Sequence, residues 1–292
     1  MEAQLSQDRS AFLAERQRGI GGSDAPVILG LSTWKTPLEL WAQKTGRARE
    51  IDDNPILRRG RKLEAVVVSE YEEETGRTVE TREGQLTHPD LPWMIGHVDR
   101  VILDANRDSL GVLEAKAANV FKIREWDDEA PLVAQVQLQH YLAVMGYPWG
   151  SVAGLLGGLE FRYQDIDANP EFIANLIERE AAFWKLVQDD TPPEPCAADA
   201  SLLSRLFEAI EGQSITLPDD AIAWDRQRLE ASAEIKRLEE LKDDADAKLK
   251  YALGTAEIGL LPGGGKYTFK STTRKSYTVA ETTFRTLRRS TK

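Results

Sequence analysis

Apolar positions recur at two periods along the first two thirds of the chain, and their alternation predicts a mixed α/β fold. Helical spacing covers residues 61–75, 132–145 and 170–187, the last carrying Phe172, Leu176, Phe183 and Trp184. The first two runs are each followed by a glycine, Gly76 and Gly146, suited to the left-handed residue that closes a helix. Between the helical runs, short apolar segments predict strands around residues 85–86, 94–103, 112–116 and 151–161. The proline cluster T-P-P-E-P-C at 191–196 cannot continue a helix and divides a domain over 1–195 from an extension over 196–292. In the extension, residues 219–253 are rich in Glu, Lys, Ala and Leu. Leu229, Ile235, Leu238, Leu241 and Leu249 are spaced there for a long amphipathic helix or a helical hairpin. Beyond P-G-G-G-K, the runs K-Y-T-F-K and S-Y-T-V alternate as two short strands.

Several polar residues interrupt this pattern at positions where burial is expected. Side chains alternate across a strand, so Glu114 and Lys116 of V-L-E-A-K share one face while Leu113 and Ala115 take the other. If Asp99 lies opposite Glu114, the hairpin must turn between Asn106 and Arg107, and that point falls inside the turn-rich D-A-N-R-D-S. Residues opposed on one face lie about 4.5 to 5.5 Å apart at Cβ. Two carboxylates that close repel unless a cation neutralises them, so the hairpin is either an exposed ion-paired surface or a divalent-metal site with a lysine beside it. Glu64 falls on the apolar stripe of Val67, Val68 and Tyr71. It is either a helix-end acid near Arg61 or a further carboxylate aimed at the cluster. Gln135 shares a stripe with Leu138, Gln139 and Leu142, and a buried glutamine needs a partner, either backbone or something in a site.

Near the N-terminus, R-Q-R-G-I-G-G-S-D-A leads through a glycine-rich turn to Ser23 and Asp24, which can cap the helix that follows. No G-K-[ST] follows, so this is not a Walker loop. Arg16 and Arg18 upstream favour an anion such as phosphate over a purely structural cap.

Composition narrows the chemistry. A single cysteine, Cys196, excludes an internal disulfide, an iron–sulfur cluster and a thiolate zinc site, and His88, His97 and His140 lack zinc-ligand spacing. Any metal is therefore expected on oxygen ligands. No apolar run reaches the roughly 18 residues of a membrane span, and the first residues lack the order of a signal peptide, so a cytoplasmic protein is expected. The net charge of −11 argues against a sequence-independent coat on nucleic acid. From Gly263 onward, however, eight Lys or Arg and one acid give +7, leaving −18 on the rest. Tyr267, Phe269, Tyr277 and Phe284 interleave with those basic residues, as a nucleic-acid contact would.

Taken in order, R-x-x-G-I-G-G-S-D-A, L-W-A-Q-K-T-G, R-G-R-K-L-E, H-P-D-L-P-W-M-I-G-H-V-D-R, L-E-A-K and A-Q-V-Q-L-Q-H-Y resemble the YqaJ-type viral recombinase family, which includes phage lambda exonuclease. That family belongs to the PD-(D/E)XK nuclease superfamily. The resemblance spans about residues 12 to 190 and implies a restriction-endonuclease-like core, a central mixed sheet flanked by helices, followed here by the helical and β-hairpin extension. It implies that Asp99, Glu114 and the Ala115 carbonyl ligate two Mg²⁺ ions, which Mn²⁺ can replace, with Glu64 in support. Lys116 would orient or activate the attacking water, Gln135 would contribute from the adjacent helix, and Arg16 with Ser23 would hold a terminal 5′-phosphate.

The activity so implied is a 5′-to-3′ exonuclease on linear double-stranded DNA, leaving 3′ overhangs for phage-type recombination by strand annealing. Its implied setting is phage or prophage encoded, in a bacterial cytoplasm, as a ring-like trimer working with a single-strand annealing protein. Two alternatives stay open: a DNA endonuclease on the same core, and a non-catalytic DNA-binding assembly module carried by the extension.

Overall fold

A computed structural model describes residues 15–48, 55–104, 106–207, 210–276 and 287–290. The chain divides into two compact units, one running through Phe207 and a second over Glu208–Arg285. The division falls twelve residues beyond the proline cluster. Asp199 accepts a hydrogen bond from Thr36, and Leu202, Leu203 and Leu206 pack with Trp41 and Phe183, so the segment after the prolines folds with the first unit.

In that unit, β1 (Thr78–Glu80), β4 (Arg100–Leu103), β5 (Gly111–Ala118), β6 (Trp149–Leu156) and β7 (Glu160–Asp167) form a mixed sheet in the order β1-β4-β5-β6-β7. Of these neighbours, only β5 and β6 run parallel. Parallel neighbours need a long crossover, and here α4 (Leu132–Met145) supplies it. β2 (Leu86–Thr87) and β3 (Ile95–Gly96) form a separate small ladder. One face of the large sheet is covered by α3 (Pro55–Thr75), whose Val67, Val68 and Tyr71 pack on Ile102, Leu113 and Ala153. The other face is covered by α4, with Leu138, Tyr141 and Leu142 on Val101, Val112 and Val152. All eight positions of β6 are buried, as expected for a strand covered on both sides. The short α1 (Ala25–Ile28) and α2 (Pro37–Lys44) join α5 (Pro170–Gln188) around further apolar clusters, and α6 (Ala200–Leu206) completes the unit.

Several predicted boundaries shift for local reasons. The helix expected from residue 61 begins at Pro55, while α4 has the predicted limits and closes on Gly146 at φ 66°. The run 94–103 is broken into β3 and β4, because Ile95–Gly96 pairs with β2 whereas Arg100–Leu103 pairs with β1 and β5. The run 151–161 is two strands. Gly157 and Gly158 adopt φ of 61° and 77°, a reversal open to glycine at little cost, and Leu156 then pairs with Glu160.

In the second unit, α7 (Ala221–Leu253) is one continuous helix about 50 Å long, not a helical hairpin, and none of its residues is buried. The strand β9 (Lys266–Thr268) lies within the predicted K-Y-T-F-K and pairs with β8 (Ile258–Leu260), a strand that the alternation did not predict. Gly264 and Gly265, at φ 95° and 90°, turn the chain back on the residues before P-G-G-G. Residues 277–279 of the expected second strand lie outside the described residues.

Candidate active site

The register of β4 on β5 decides which side chains meet. Arg100 pairs with Leu113 and Val101 with Val112, so the next step outward sets Asp99 opposite Glu114, the pairing expected from the sequence. Asp99 sits just outside the ladder, where its Oδ2 accepts the Ala115 backbone N–H at 2.8 Å. Glu114 is 2% exposed, and its Oε2 has no hydrogen-bond partner. Its Oε1 is ion-paired with Lys116 Nζ, which also donates to Gln137 Oε1 at 3.0 Å. Gln137 in turn donates to the Tyr141 hydroxyl at 3.1 Å.

Glu64 reaches the same place from α3. Arg100 Nη1 lies 3.3 Å from its Oε1 and also donates to the Asp99 backbone oxygen. Burial, reinforced by the charge of Asp99, pushes the Glu64 carboxyl up, and burial does the same to Asp99 despite the Ala115 N–H. Glu114 is pushed up to about 8 by burial, with Asp99 and Glu64 adding to the push and Lys116 opposing it. Burial disfavours the Lys116 ammonium, but Glu114, Asp99 and Glu64 together raise it above its ordinary value. Three acids thus resist ionisation around one lysine and one arginine, which is the electrostatic signature of a place for a cation.

The donor set fits a hard divalent ion of the Mg²⁺ kind. Among the described residues no three His, Cys, Asp or Glu side chains form a closed ligand group. Such an ion, however, takes only one or two protein carboxylates and keeps several waters. The unpartnered Glu114 Oε2 and the adjacent Asp99 carboxylate meet that requirement.

The glycine-rich segment forms the neighbouring wall. Arg16 Nη2 is 3.0 Å from both Ser23 Oγ and Asp24 Oδ1. Asp24 does not cap α1 with its side chain. It is buried against Lys44, whose Nζ lies 2.6 Å from Asp24 Oδ2 and from the Arg16 and Gly19 carbonyl oxygens. Burial opposes the Asp24 charge, but Lys44 and Arg16 outweigh it and hold the carboxyl well below the usual range. The turn is thereby pinned by a buried ion pair, leaving Ser23 at its surface. A Cβ on Gly22 would come within 2.5 Å of the Tyr141 ring, so only glycine lets this turn close on α4. Arg16 and Ser23 line one cavity of about 320 Å³ together with Glu64, Asp99, Gln137 and Tyr141.

Gln135 is not part of this assembly. Its Nε2 donates to the Ala130 carbonyl at 2.6 Å and lies 3.4 Å from Glu129. At 100° per residue, Gln137 and Tyr141 share the face of α4 that meets Lys116, and Gln135 lies well off it. His140 is fully buried. Its Nδ1 lies 2.8 Å from Glu180 Oε1 and its Nε2 2.8 Å from the Ile95 carbonyl, tying α4 to α5 and to β3.

The mixed sheet between two helical layers, with acids and a lysine gathered beside the last residues of a central strand, defines a restriction-endonuclease-like core. The alkaline exonuclease LHK-Exo from Laribacter hongkongensis has a similar fold, with a TM-score of 0.51 at 21% identity over 62% of this chain and 93% of that one. A family model described as the YqaJ-like viral recombinase domain matches residues 11–148. The chain is also 34% identical over 265 residues to the uncharacterized protein YqaJ of Bacillus subtilis (strain 168), covering 87% of this chain and 81% of that one. It belongs to the YqaJ-like viral recombinase family.

Proposed function

We propose that this protein is a metal-dependent deoxyribonuclease that degrades one strand of linear duplex DNA from its 5′ end and leaves 3′ single-stranded overhangs for strand annealing. The observation that carries the reading is the buried, unpartnered Glu114 Oε2 beside Asp99 and Lys116. Glu180 Oε2 is likewise buried without a partner, but its carboxylate is held by His140, whereas the Glu114 oxygen belongs to a carboxyl that Asp99 and Glu64 push up further, the charge imbalance that suits a hydrolytic site. Family membership and a fold shared with a protein named an alkaline exonuclease support the same reading.

In this proposal Asp99, Glu114 and the Ala115 carbonyl hold two Mg²⁺ ions, with Glu64 completing their environment and Mn²⁺ able to substitute. When bound, such ions lower the pKa of water and stabilise charge on the attacking and leaving oxygens. Lys116 orients the attacking water and stabilises the developing phosphorane charge, held in place by Gln137. Arg16 and Ser23 take the 5′-terminal phosphate at the far wall of the cavity, which fixes one scissile bond relative to the end. Recognition through phosphates makes cleavage independent of sequence and sensitive to salt. We extend the proposal to a ring-like homotrimer acting with a phage-encoded single-strand annealing protein in a bacterial cytoplasm. No helix among the described residues is long and apolar enough to cross a membrane.

The decisive experiment digests linear duplexes bearing or lacking a 5′-phosphate, and a closed circle, with Mg²⁺, Mn²⁺, Ca²⁺ or chelator. Release of mononucleotides from the 5′-phosphorylated strand alone supports the reading. Cutting of the closed circle reassigns the protein as an endonuclease, and binding without hydrolysis under every ion removes the enzyme altogether.

A further inference from the structure

The second unit presents an exposed aromatic and basic hairpin that the active site does not use. β8 and β9 pair Ile258 with Thr268, Gly259 with Tyr267 and Leu260 with Lys266. The Phe269 N–H donates to the Glu257 carbonyl at 2.8 Å and carries the ladder one step further. Alternation then sorts the side chains: Tyr267 and Phe269 share one face, about 7 Å apart along the strand, while Lys266, Thr268 and Lys270 share the other. Directly opposite Tyr267 stands Gly259, whose missing side chain leaves room on the face that carries the ring. Leu253 at the end of α7 closes on that glycine, where a Cβ would come within 2.6 Å of it, and so seats the hairpin on the helix. Tyr267 is 45% and Phe269 49% exposed. Lys266, Lys270, Arg274 and Lys275 are all exposed, with Lys270 only loosely paired to Glu257 at 3.9 Å.

We infer that this hairpin is a binding surface for single-stranded DNA, distinct from the cavity that holds Glu114. Phosphates need cations, and Lys266, Lys270, Arg274 and Lys275 supply them with no acid between residues 258 and 276. Bases need flat apolar surfaces, and two aromatic rings spaced about 7 Å apart match successive unstacked bases. A duplex keeps its base faces hidden in the stack, so it would meet the cations and leave the rings idle. Stacking on any base explains a sequence-tolerant contact, as a strand of arbitrary sequence demands. That the strand is DNA rests on the nuclease reading above, in which one strand of the duplex becomes single as its partner is consumed. The hairpin would hold that strand.

The test uses the full chain in EDTA, where no hydrolysis occurs, with a fluorescent 5′-hydroxyl oligodeoxythymidine over a range of NaCl. For the Lys266→Ala/Lys270→Ala variant the dependence of log K on log salt should flatten by about 1.4, close to 0.7 for each single-strand phosphate that the two lysines neutralise. Tyr267→Ala/Phe269→Ala should weaken binding by about tenfold or more at unchanged slope. Tyr267→Leu/Phe269→Leu keeps apolar bulk without a ring face and should bind as weakly as the alanine pair, whereas Tyr267→Phe/Phe269→Trp should bind as the parent does. Parent-like affinity in the leucine pair, an unchanged slope in the lysine pair, or equal losses on duplex and single strand would each overturn the inference. Because binding is read without metal, loss of nuclease activity with these binding effects intact removes only the nuclease reading, and the opposite pattern removes only this one.

Discussion

Two polar clusters sit on the same sheet and differ in how their charges are matched. Where β5 and β6 begin, Arg77 donates to both oxygens of Asp165 at 2.8 and 2.6 Å, to Asp104 at 2.9 Å and to the Tyr71 hydroxyl at 2.7 Å. Tyr71 and Asp165 both bond Ser151, and Arg107 stacks 4.0 Å from the Trp149 ring while reaching Asp165. There the carboxyls are held low: Asp165 by its bonds to Arg77 and Ser151 against the burial that opposes them, and Asp104 by the Asn106 N–H first and then Arg77. Beside the far end of β5, Glu64, Asp99 and Glu114 are all pushed up and one oxygen lacks a partner. A cluster that closes on itself stabilises a fold, whereas a cluster left short of positive charge is ready for a ligand.

The sharpest way to break that distinction is to remove the central cation from each cluster. Lys116→Ala should lower DNA cleavage by about 10²- to 10⁴-fold while leaving duplex binding nearly unchanged. Single-turnover digestion beside a binding assay in Ca²⁺ checks both halves, and full cleavage by this variant would count against the assignment. Arg77→Ala should do the reverse. With Asp104 and Asp165 left without their shared cation, urea unfolding should report a lower midpoint than the parent's, while the folded fraction cleaves at the parent rate.

Opposite pKa directions also give opposite pH dependences. Glu114 holds its proton in the folded state up to about 8 but releases it near 4.5 when unfolded. The metal-free protein should therefore be most stable below the unfolded value and lose stability as pH rises from about 4.5 toward 8. Glu114→Gln should reduce that slope, leaving the smaller part due to Glu64 and Asp99, and raise stability at pH 8 by roughly 2 kcal/mol, with activity abolished. Asp165, whose folded value lies below 3.8, works the other way. Its contribution is present above 3.8 and disappears as pH falls through the folded value. Chemical denaturation in EDTA between pH 3 and 9 separates the two limbs. A parent curve flat between pH 5 and 8 would remove the charge imbalance on which the site assignment rests.

The sequence revealed the Asp99–Glu114 pairing because two local signals agreed, strand alternation in V-L-E-A-K and a turn centred midway between the acids. It did not reveal the Arg77 cluster, whose partners lie 27 and 88 residues away and carry no shared period. Asp24 read as a helix cap because its position beside Ala25 and Pro26 is a local feature, whereas the lysine that captures it lies twenty residues on. The pairing of β8 with β9 is hidden from the sequence for a related reason. Gly264 and Gly265 fold Lys266–Thr268 back on Ile258–Leu260 through left-handed φ values, and a glycine in the sequence does not state its φ.

Gln135 and Gln137 give the smallest and most discriminating contrast. Positions 136 through 142 of α4 are all buried, so no polar stripe marks which way the helix faces, and a two-residue error turns a side chain by about 200°. Of the two glutamines it is Gln137 that touches Lys116, and it does so while bonded to Tyr141. Gln137→Leu should therefore slow cleavage by about tenfold, as loss of one hydrogen bond to a charged group implies, with little change in KM for duplex ends. Gln135→Leu trades a partly exposed bond to the Ala130 carbonyl for apolar packing and should stay within about twofold of the parent. Steady-state kinetics on a 5′-phosphorylated duplex distinguish them. A larger defect at Gln135 than at Gln137 would mean that α4 is rotated in the working enzyme, and that the lysine draws its support from the other glutamine.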